Sequence, residues 1–497
     1  MPGFCTLSYG TQALEPLVEP GVIRTSEVLS ALSLALDLTE GQASGHAIRS
    51  ALIGMRIAEE ISLSPEDRSA LFYGLVLKDL GCSSNAAKMA WLFGADERGV
   101  KRDIKLIDWT KMSEKAKFAW RQVAPGGGTL QKMLRLAVMA REGDKGETQL
   151  VEQRCERGAE IARELEMPEA TAQAIRSLDE HWNGRGHPVG LKGEEIPLLS
   201  RIMNLAQTVE VFCMTQGPFA ALHMAHERSG RWFDPSLVRA LLSTRGDSDF
   251  WTSLLNYDLH GTLAAWEPED EMRYTDADGL DRISESFARV VDSKSPWTYK
   301  HSTGVADIAV GIADMLGFDA AARRDLRRAG LLHDLGKLGV SNAILDKPGK
   351  PTDEEFAQIK LHPDYSLKIL SQVPLFSRLA DVASAHHERL DGRGYHRRLP
   401  GDAMPPEARI LAVADVYEAL TASRPYRDEM PREKALSIMK KDAGQHLCAE
   451  CIAALEQWLD RTTITPRVEA QLQALDRLHN ELSGRTSEAE AVGTASK

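Results

Sequence analysis

The chain has 497 residues, 43% hydrophobic and 27% charged, with 60 basic against 72 acidic residues and a net charge of −12. At about 150 residues per domain this length suggests roughly three domains, with a core of normal size. The negative balance excludes a general nucleic-acid binder, which needs a positive field, but not a small anion held by local cations. The opening MPGFCTLSYG lacks a basic stretch followed by an apolar run, and no apolar run approaches the ~18 residues of a membrane span. A cytoplasmic chain without membrane or nucleic-acid partners is expected. Six cysteines scattered over this length imply no disulfide framework, and the lone Cys448-x-x-Cys451 reads as buried helix positions.

Helical apolar spacing marks residues 29–38, 48–61, 161–178, 305–316, 410–420 and 452–459. Pro and Gly clusters at 124–128, 347–351 and 404–407 punctuate the helices, and alternating strand-like runs are scarce. After Leu482 the tail GRTSEAEAVGTASK has Val492 as its only large apolar side chain and reads as disordered.

Two stretches resemble each other. The first carries LKDLGCSSN (77–85), DEHWNGRGHPVGLKG (179–193) and SRIMNLAQTVEVF (200–212). The second carries LHDLGKLGVSN (332–342), HHERLDGRGYHRRLPG (386–401) and ARILAVADVYEAL (408–420). His46 to Lys78 and His301 to His333 are both 32 positions, and Asn183 to Gln207 and Asp391 to Asp415 are both 24. The offset falls from 255 to 208, so the first copy holds 47 extra residues, placed roughly within 86–150. The predicted fold is all-α, with two helical bundles in tandem. Residues 1–245 form the first, 246–280 a linker, 281–482 the second, and 483–497 a disordered tail.

The second copy concentrates His301, His333, Asp334, His362, His386, His387 and Asp415 within 115 positions. Imidazole and carboxylate without thiolate suit divalent iron, manganese, zinc or nickel. Five histidines and two aspartates exceed one tetrahedral ion and suit two adjacent ions sharing a bridging carboxylate or water. Each residue alone reads more simply as a surface or hydrogen-bonded group; the joint order and spacing carry the inference.

These residues resemble the HD-GYP family of HD-domain phosphohydrolases, through HDLGK (333–337), HHERLDGRGY (386–395) and ARILAVADVYEALTASRPYR (408–427). The resemblance covers roughly residues 292–459. It implies two HD-domain-like helical bundles and two divalent ions, iron or manganese, held by His301, His333, Asp334, His362, His386, His387 and Asp415. It also implies hydrolysis of cyclic di-GMP to pGpG or GMP, with cyclic GMP-AMP, another nucleotide phosphoester or a non-catalytic receptor role as alternatives. Asp334 and Lys337 are the implied catalytic residues, and Lys337, Arg424 and Arg427 the implied phosphate contacts. A homodimer or a signalling-protein partner is compatible with this reading.

The chain departs from the family in two places. Trp297 stands where three-metal members carry Glu, which favours two metals. Gly394-Tyr395-His396 replaces Gly-Tyr-Pro, with His396 read as an exposed loop residue. Glu418 is read either as orienting Lys337 or as a solvated helix residue. The first copy keeps His46 and Asp79 but has Lys78 for His333, Cys82 for Lys337, Leu178 and Asp179 for the His pair, and Gln207 for Asp415. It reads as a site lost, leaving a structural, sensory or dimer-forming role. His181 and His187 in its turn read as surface residues.

Overall fold

The computed structural model describes residues 16–18, 21–255, 258–298, 300–423 and 428–462, the side chains of 144, 145 and 147 excepted. The fold is all-α. In the first half the helices are α1 (Thr25–Thr39), α2 (His46–Glu60), α3 (Pro65–Leu77), α4 (Ala86–Phe93), α5 (Glu97–Ile104), α6 (Met112–Gln122), α7 (Thr129–Glu164) and α8 (Glu169–Arg176). There follow α9 (Leu198–Gln216), α10 (Pro218–Arg228), α11 (Pro235–Ser243), α12 (Ser248–Ser253) and α13 (Leu259–Ala264). The second half has α14 (Ala277–Asp292), α15 (His301–Met315), α16 (Ala320–Leu332), α17 (Asn342–Leu345), α18 (Asp353–Ile359), α19 (His362–Leu370), α20 (Ser377–Ala383), α21 (Pro406–Thr421) and α22 (Arg432–Lys441). A last helix occupies 449–462. The tail at 483–497 lies outside the described residues. Among those described, no helix is long and apolar enough to cross a membrane.

Local chemistry sets the helix ends. Ser64, Asp276 and Asp319 accept from backbone N–H groups in the first turns of α3, α14 and α16, satisfying donors that helical bonding leaves free. Thr352 and Glu355 form a reciprocal capping box on α18. The spacing-based helix over 161–178 is divided, because the chain turns between Glu164 and Glu169. Within α7, Gly143 has φ 58° and ψ −160°, a break that needs glycine.

The repeat read from spacing recurs in three dimensions. Glu180 accepts from the backbone N–H groups of Val189 and Gly190, and Glu388 from those of Arg397, Arg398 and Leu399. The same loop is closed by the bridges Asn183–Lys192 and Asp391–Pro400. His46 heads α2 and bonds Glu210 of α9, while His301 heads α15 and bonds Glu418 of α21.

One apolar cluster runs from Leu17 to Leu455, so the two halves share a core. The segment expected as a linker is packed into it: α12 and α13 bring Trp251 and Leu263, and Leu254 lies between them, all buried. Tyr274–Thr275 pairs antiparallel with Ile23–Arg24. The segment 86–150 has its own small cluster, including Met89, Phe93, Val100 and Phe118. It is tied to the second half by one buried ionic joint. Glu97, fully buried, meets Lys294 Nζ at 3.1 Å and accepts from Ser341 Oγ at 2.9 Å and Asn342 N at 3.0 Å. Burial holds the Lys294 ammonium below its usual range despite Glu97 beside it.

Replacing Glu97 by Ala strands the Lys294 charge in the interior, a change that costs about 3–5 kcal/mol. Urea unfolding of Glu97→Ala is expected to show a loss of that size; a loss below about 1 kcal/mol would mean that the joint behaves as an exposed pair.

Candidate metal centre

Helix ends deliver the ligand-type side chains to one place. His333 follows the last residue of α16, His362 opens α19 just beyond α18, and His386 and His387 follow α20. Asp415 projects from the middle of α21, and His301 from the first position of α15. At a helix C-terminus the last carbonyls lack intrahelical partners, and three of these histidines supply them. His333 Nδ1 donates to Gly330 O, His362 Nδ1 to Ile359 O and His386 Nδ1 to Ala383 O, each at 2.7 Å. A carbonyl can only accept, so each Nδ1 carries the proton and each Nε2 presents a lone pair inward.

Those lone pairs converge on Asp334, which is 1% exposed. Its Oδ2 lies 3.1 Å from His301 Nε2 and 3.3 Å from His333 Nε2. Its Oδ1 lies 3.3 Å from His362 Nε2 and 3.7 Å from His386 Nε2. Asp415 Oδ1 is 3.5 Å from His301 Nε2, and Asp415 Oδ2 is 3.7 Å from His387 Nδ1. All seven residues expected from the sequence are therefore together. They fall into two groups, His301, His333 and Asp415 on one side and His362, His386 and His387 on the other, with one Asp334 oxygen facing each.

The donor set fits divalent cations on an observation internal to the protein. His362 Nε2 and His386 Nε2 lie 3.0 Å apart, two lone pairs facing each other with both ring protons engaged elsewhere. His301 Nε2, His333 Nε2 and Asp334 Oδ1 are buried without a hydrogen-bond partner. Unpartnered buried polar atoms cost about 1–3 kcal/mol each, and a shared cation removes all of these conflicts. Burial pushes His362 down to about 3 and His387 to about 4, and holds His386 well below its ordinary range. The neutral imidazoles this leaves are the ligating form. Burial would raise Asp334, but the His333 ring and the Lys337 ammonium against it outweigh that and keep the carboxylate ionised. For His301, burial is outweighed by the Asp334 carboxylate facing Nε2 and by Glu418 at Nδ1, which raise it to about 9; a cation at Nε2 would take the place of that proton.

Around this set the structure sorts the remaining expectations. Lys337 Nζ sits on Asp334 Oδ2 at 2.5 Å, with 17% of its side chain exposed. Glu418 is neither the orienter of Lys337 nor a solvated residue; it bonds His301 Nδ1 and so does for that ring what carbonyls do for the others. The signal for it lay in the repeat, where Glu210, the counterpart of Glu418, holds His46. His396 is not an exposed loop residue: it is half-buried, and both ring nitrogens lack hydrogen-bond partners. Tyr395 lies against the His387 ring at 4.7 Å, with Lys360 5.6 Å from its own ring centre; neither contact was read from the sequence. Arg424 and Arg427 lie outside the described residues. Trp297 is 39% exposed.

In the first copy, ammonium groups crowd the corresponding place. Lys78 pairs with Asp79, and Lys101 and Lys105 lie 3.3 and 2.8 Å from Glu40. Glu40, Asp79 and Cys82 are close enough to share an ion, but lysines already neutralise the acids. His181 is buried rather than at the surface, stacked on Trp232 at 4.0 Å, and His187 stacks on Trp109 at 5.3 Å.

The sequence model of the HD domain family matches residues 132–237 and 285–450. The chain is 42% identical over 435 residues to 3′3′-cGAMP-specific phosphodiesterase 3 of Vibrio cholerae, covering 88% of this chain and 94% of that one. It is 36% identical over 171 residues to the cyclic di-GMP phosphodiesterase response regulator RpfG of Xanthomonas campestris, covering 34% of this chain and 45% of that one. A crystal structure of a cyclic GMP-AMP specific phosphodiesterase of V. cholerae superposes with a TM-score of 0.62 at 39% identity, covering 88% of this chain and 98% of that one.

The turn after Asp334 brings Gly336 so close to α19 that an added Cβ would lie 1.9 Å from His362 O. Gly336→Ala is expected to displace His362 and weaken metal affinity about tenfold or more. Metal titration beside circular dichroism checks this; unchanged affinity would show that His362 is not a ligand.

Proposed function

We propose, from the premise that this chain belongs to the HD-domain family and is a cyclic-dinucleotide phosphodiesterase, that it hydrolyses 3′3′-cGAMP at a binuclear metal site. The proposed ligands are His301, His333, Asp334, His362, His386, His387 and Asp415, with Asp334 shared. The observation that carries the site is the convergence of proton-locked imidazole lone pairs on the two oxygens of one buried carboxylate. The substrate reading rests on extent: the relative matched along 94% of its length is cGAMP-specific, whereas the cyclic di-GMP phosphodiesterase RpfG aligns with 34% of this chain. The family resemblance puts cyclic di-GMP first, and the metal motifs are blind to one purine; the full-length similarity supports the opposite order. Cyclic di-GMP remains the second reading, supported by the similarity across the second half to RpfG and its like.

Two divalent cations held there, iron or manganese by the donor chemistry, would supply Lewis acidity toward a phosphodiester and toward water. The protein's own groups do the rest. Asp334 remains a carboxylate in the interior because Lys337 and the imidazoles surround it. Lys337 places positive charge beside the reacting region, where the phosphoryl transition state is most anionic. The carbonyls behind three rings and Glu418 behind the fourth keep ligand directions set before substrate arrives. Arg424 and Arg427, through the RPYR match, are proposed with Lys337 to grip the substrate phosphates. The crowded first copy is proposed to hold no metal.

Metal analysis joined to a product assay tests the whole reading. Wild type should carry about two ions per chain, and His333→Ala with Asp334→Ala should lose them together with about a hundredfold or more of the turnover. Purified, metal-loaded protein should turn over 3′3′-cGAMP about tenfold or more faster than cyclic di-GMP, a discrimination of about 1.4 kcal/mol. Faster cyclic di-GMP turnover would remove the substrate assignment; full activity in the double variant would remove the site.

A further inference from the structure

The segment 86–150 helps to wall a cavity of about 590 Å³ whose lining includes none of the seven metal-centre residues, within the size range of small-molecule sites. Its body is apolar, lined by Met89, Phe93, Ile104, Phe118, Leu136 and Met139. One end of its lining is polar, formed by residues that correspond by repeat position to the metal centre of the second copy. Gln207 and Asp179, the counterparts of Asp415 and His387, line it together with Lys105 and Arg154. Glu40 there stands between the ammonium groups of Lys101 and Lys105, and Arg154 pairs with Asp179. That end therefore keeps an excess positive charge. Two polar atoms lining it, Gln207 Oε1 and His181 Nδ1, are buried without a hydrogen-bond partner, on residues 7% and 2% exposed.

An apolar chamber that carries excess cation and an unpartnered imidazole nitrogen, His181 Nδ1, on its lining matches an apolar molecule with one anionic head. A cyclic dinucleotide fits poorly, since two phosphates would have to lose water against mostly apolar walls. One element joins the cavity to the catalytic half. The later part of α5 lines the chamber through Lys101 and Ile104. Its first residues hold the loop that follows Lys337: Glu97 accepts from Ser341 and Asn342, and Arg98 donates to Gly339 O.

We propose that this cavity is a regulatory binding site for a small apolar monocarboxylate, and that α5 carries its occupancy to the loop beside Lys337. Calorimetric titration of the full-length protein with decanoate tests it without reliance on the phosphodiesterase reading. Saturable binding of about one decanoate per chain is expected. Ala119→Trp, which fills the chamber from a wall residue, should weaken it about tenfold or more, and Lys105→Met should weaken decanoate while sparing 1-decanol. Turnover of wild type should change about fivefold or more with decanoate, and turnover of Ala119→Trp should not. Absent saturation, undiminished binding in folded Ala119→Trp, equal affinity for 1-decanol, or displacement of decanoate by a cyclic dinucleotide would each overturn the assignment. Binding without a turnover change would overturn the link through α5.

Discussion

A carboxylate taken out of water must be neutralised where it stands, and Asp334 is the place where this protein meets that demand. The side chain is almost wholly enclosed, with imidazoles against both of its oxygens. The surrounding helices can be understood as the means of holding that arrangement. α16, α18 and α20 each end in a carbonyl that fixes a histidine, and α15 and α21 cross so that Glu418 fixes the fourth. Helix termination, usually an unsatisfied end, here doubles as ligand alignment.

The two copies show the same scaffold solving the same electrostatic problem in two ways. In the second, the buried acids face histidines and the site calls for cations from outside. In the first, covalently attached ammonium groups do that work: Lys78 on Asp79, Lys101 and Lys105 on Glu40. A paired difference follows at the back of the ring. Arg49 braces Glu210 in the first copy at 2.6 Å. Its counterpart is Gly304, where an added Cβ would come within 3.2 Å of Glu418 Cγ. In the second copy the small residue lets Glu418 pack against that helix while it bonds His301.

The convergence of the seven histidines and aspartates and the repeat were legible because both depend on residue identity at fixed separation, and helices convert separation into direction reliably. The all-helical class followed from apolar periodicity for the same reason. What sequence could not supply depends on who meets whom across long separations. The Glu97–Lys294 joint spans 197 positions and has no local signature. His181 reads as a turn residue until Trp109 and Trp232 are seen to enclose it. His396 looked exposed because loops usually are, yet its ring is partly covered. The span 246–280 lacked strong periodicity, but its few large residues, Trp251, Leu254 and Leu263, suffice to seat it in the core.

The continuity of that core bears on how the protein can be divided. Because one apolar cluster extends from Leu17 to Leu455, the interiors of the two halves are joined. Excising the second half would uncover a broad greasy face and cut the hydrogen bonds from Leu17 and Val18 to Asp325. Such a fragment would invite self-association, the usual fate of large uncovered apolar patches. In this chain the catalytic module is therefore not free-standing: cutting it from its neighbour would have to be repaired by new polar residues on the uncovered face.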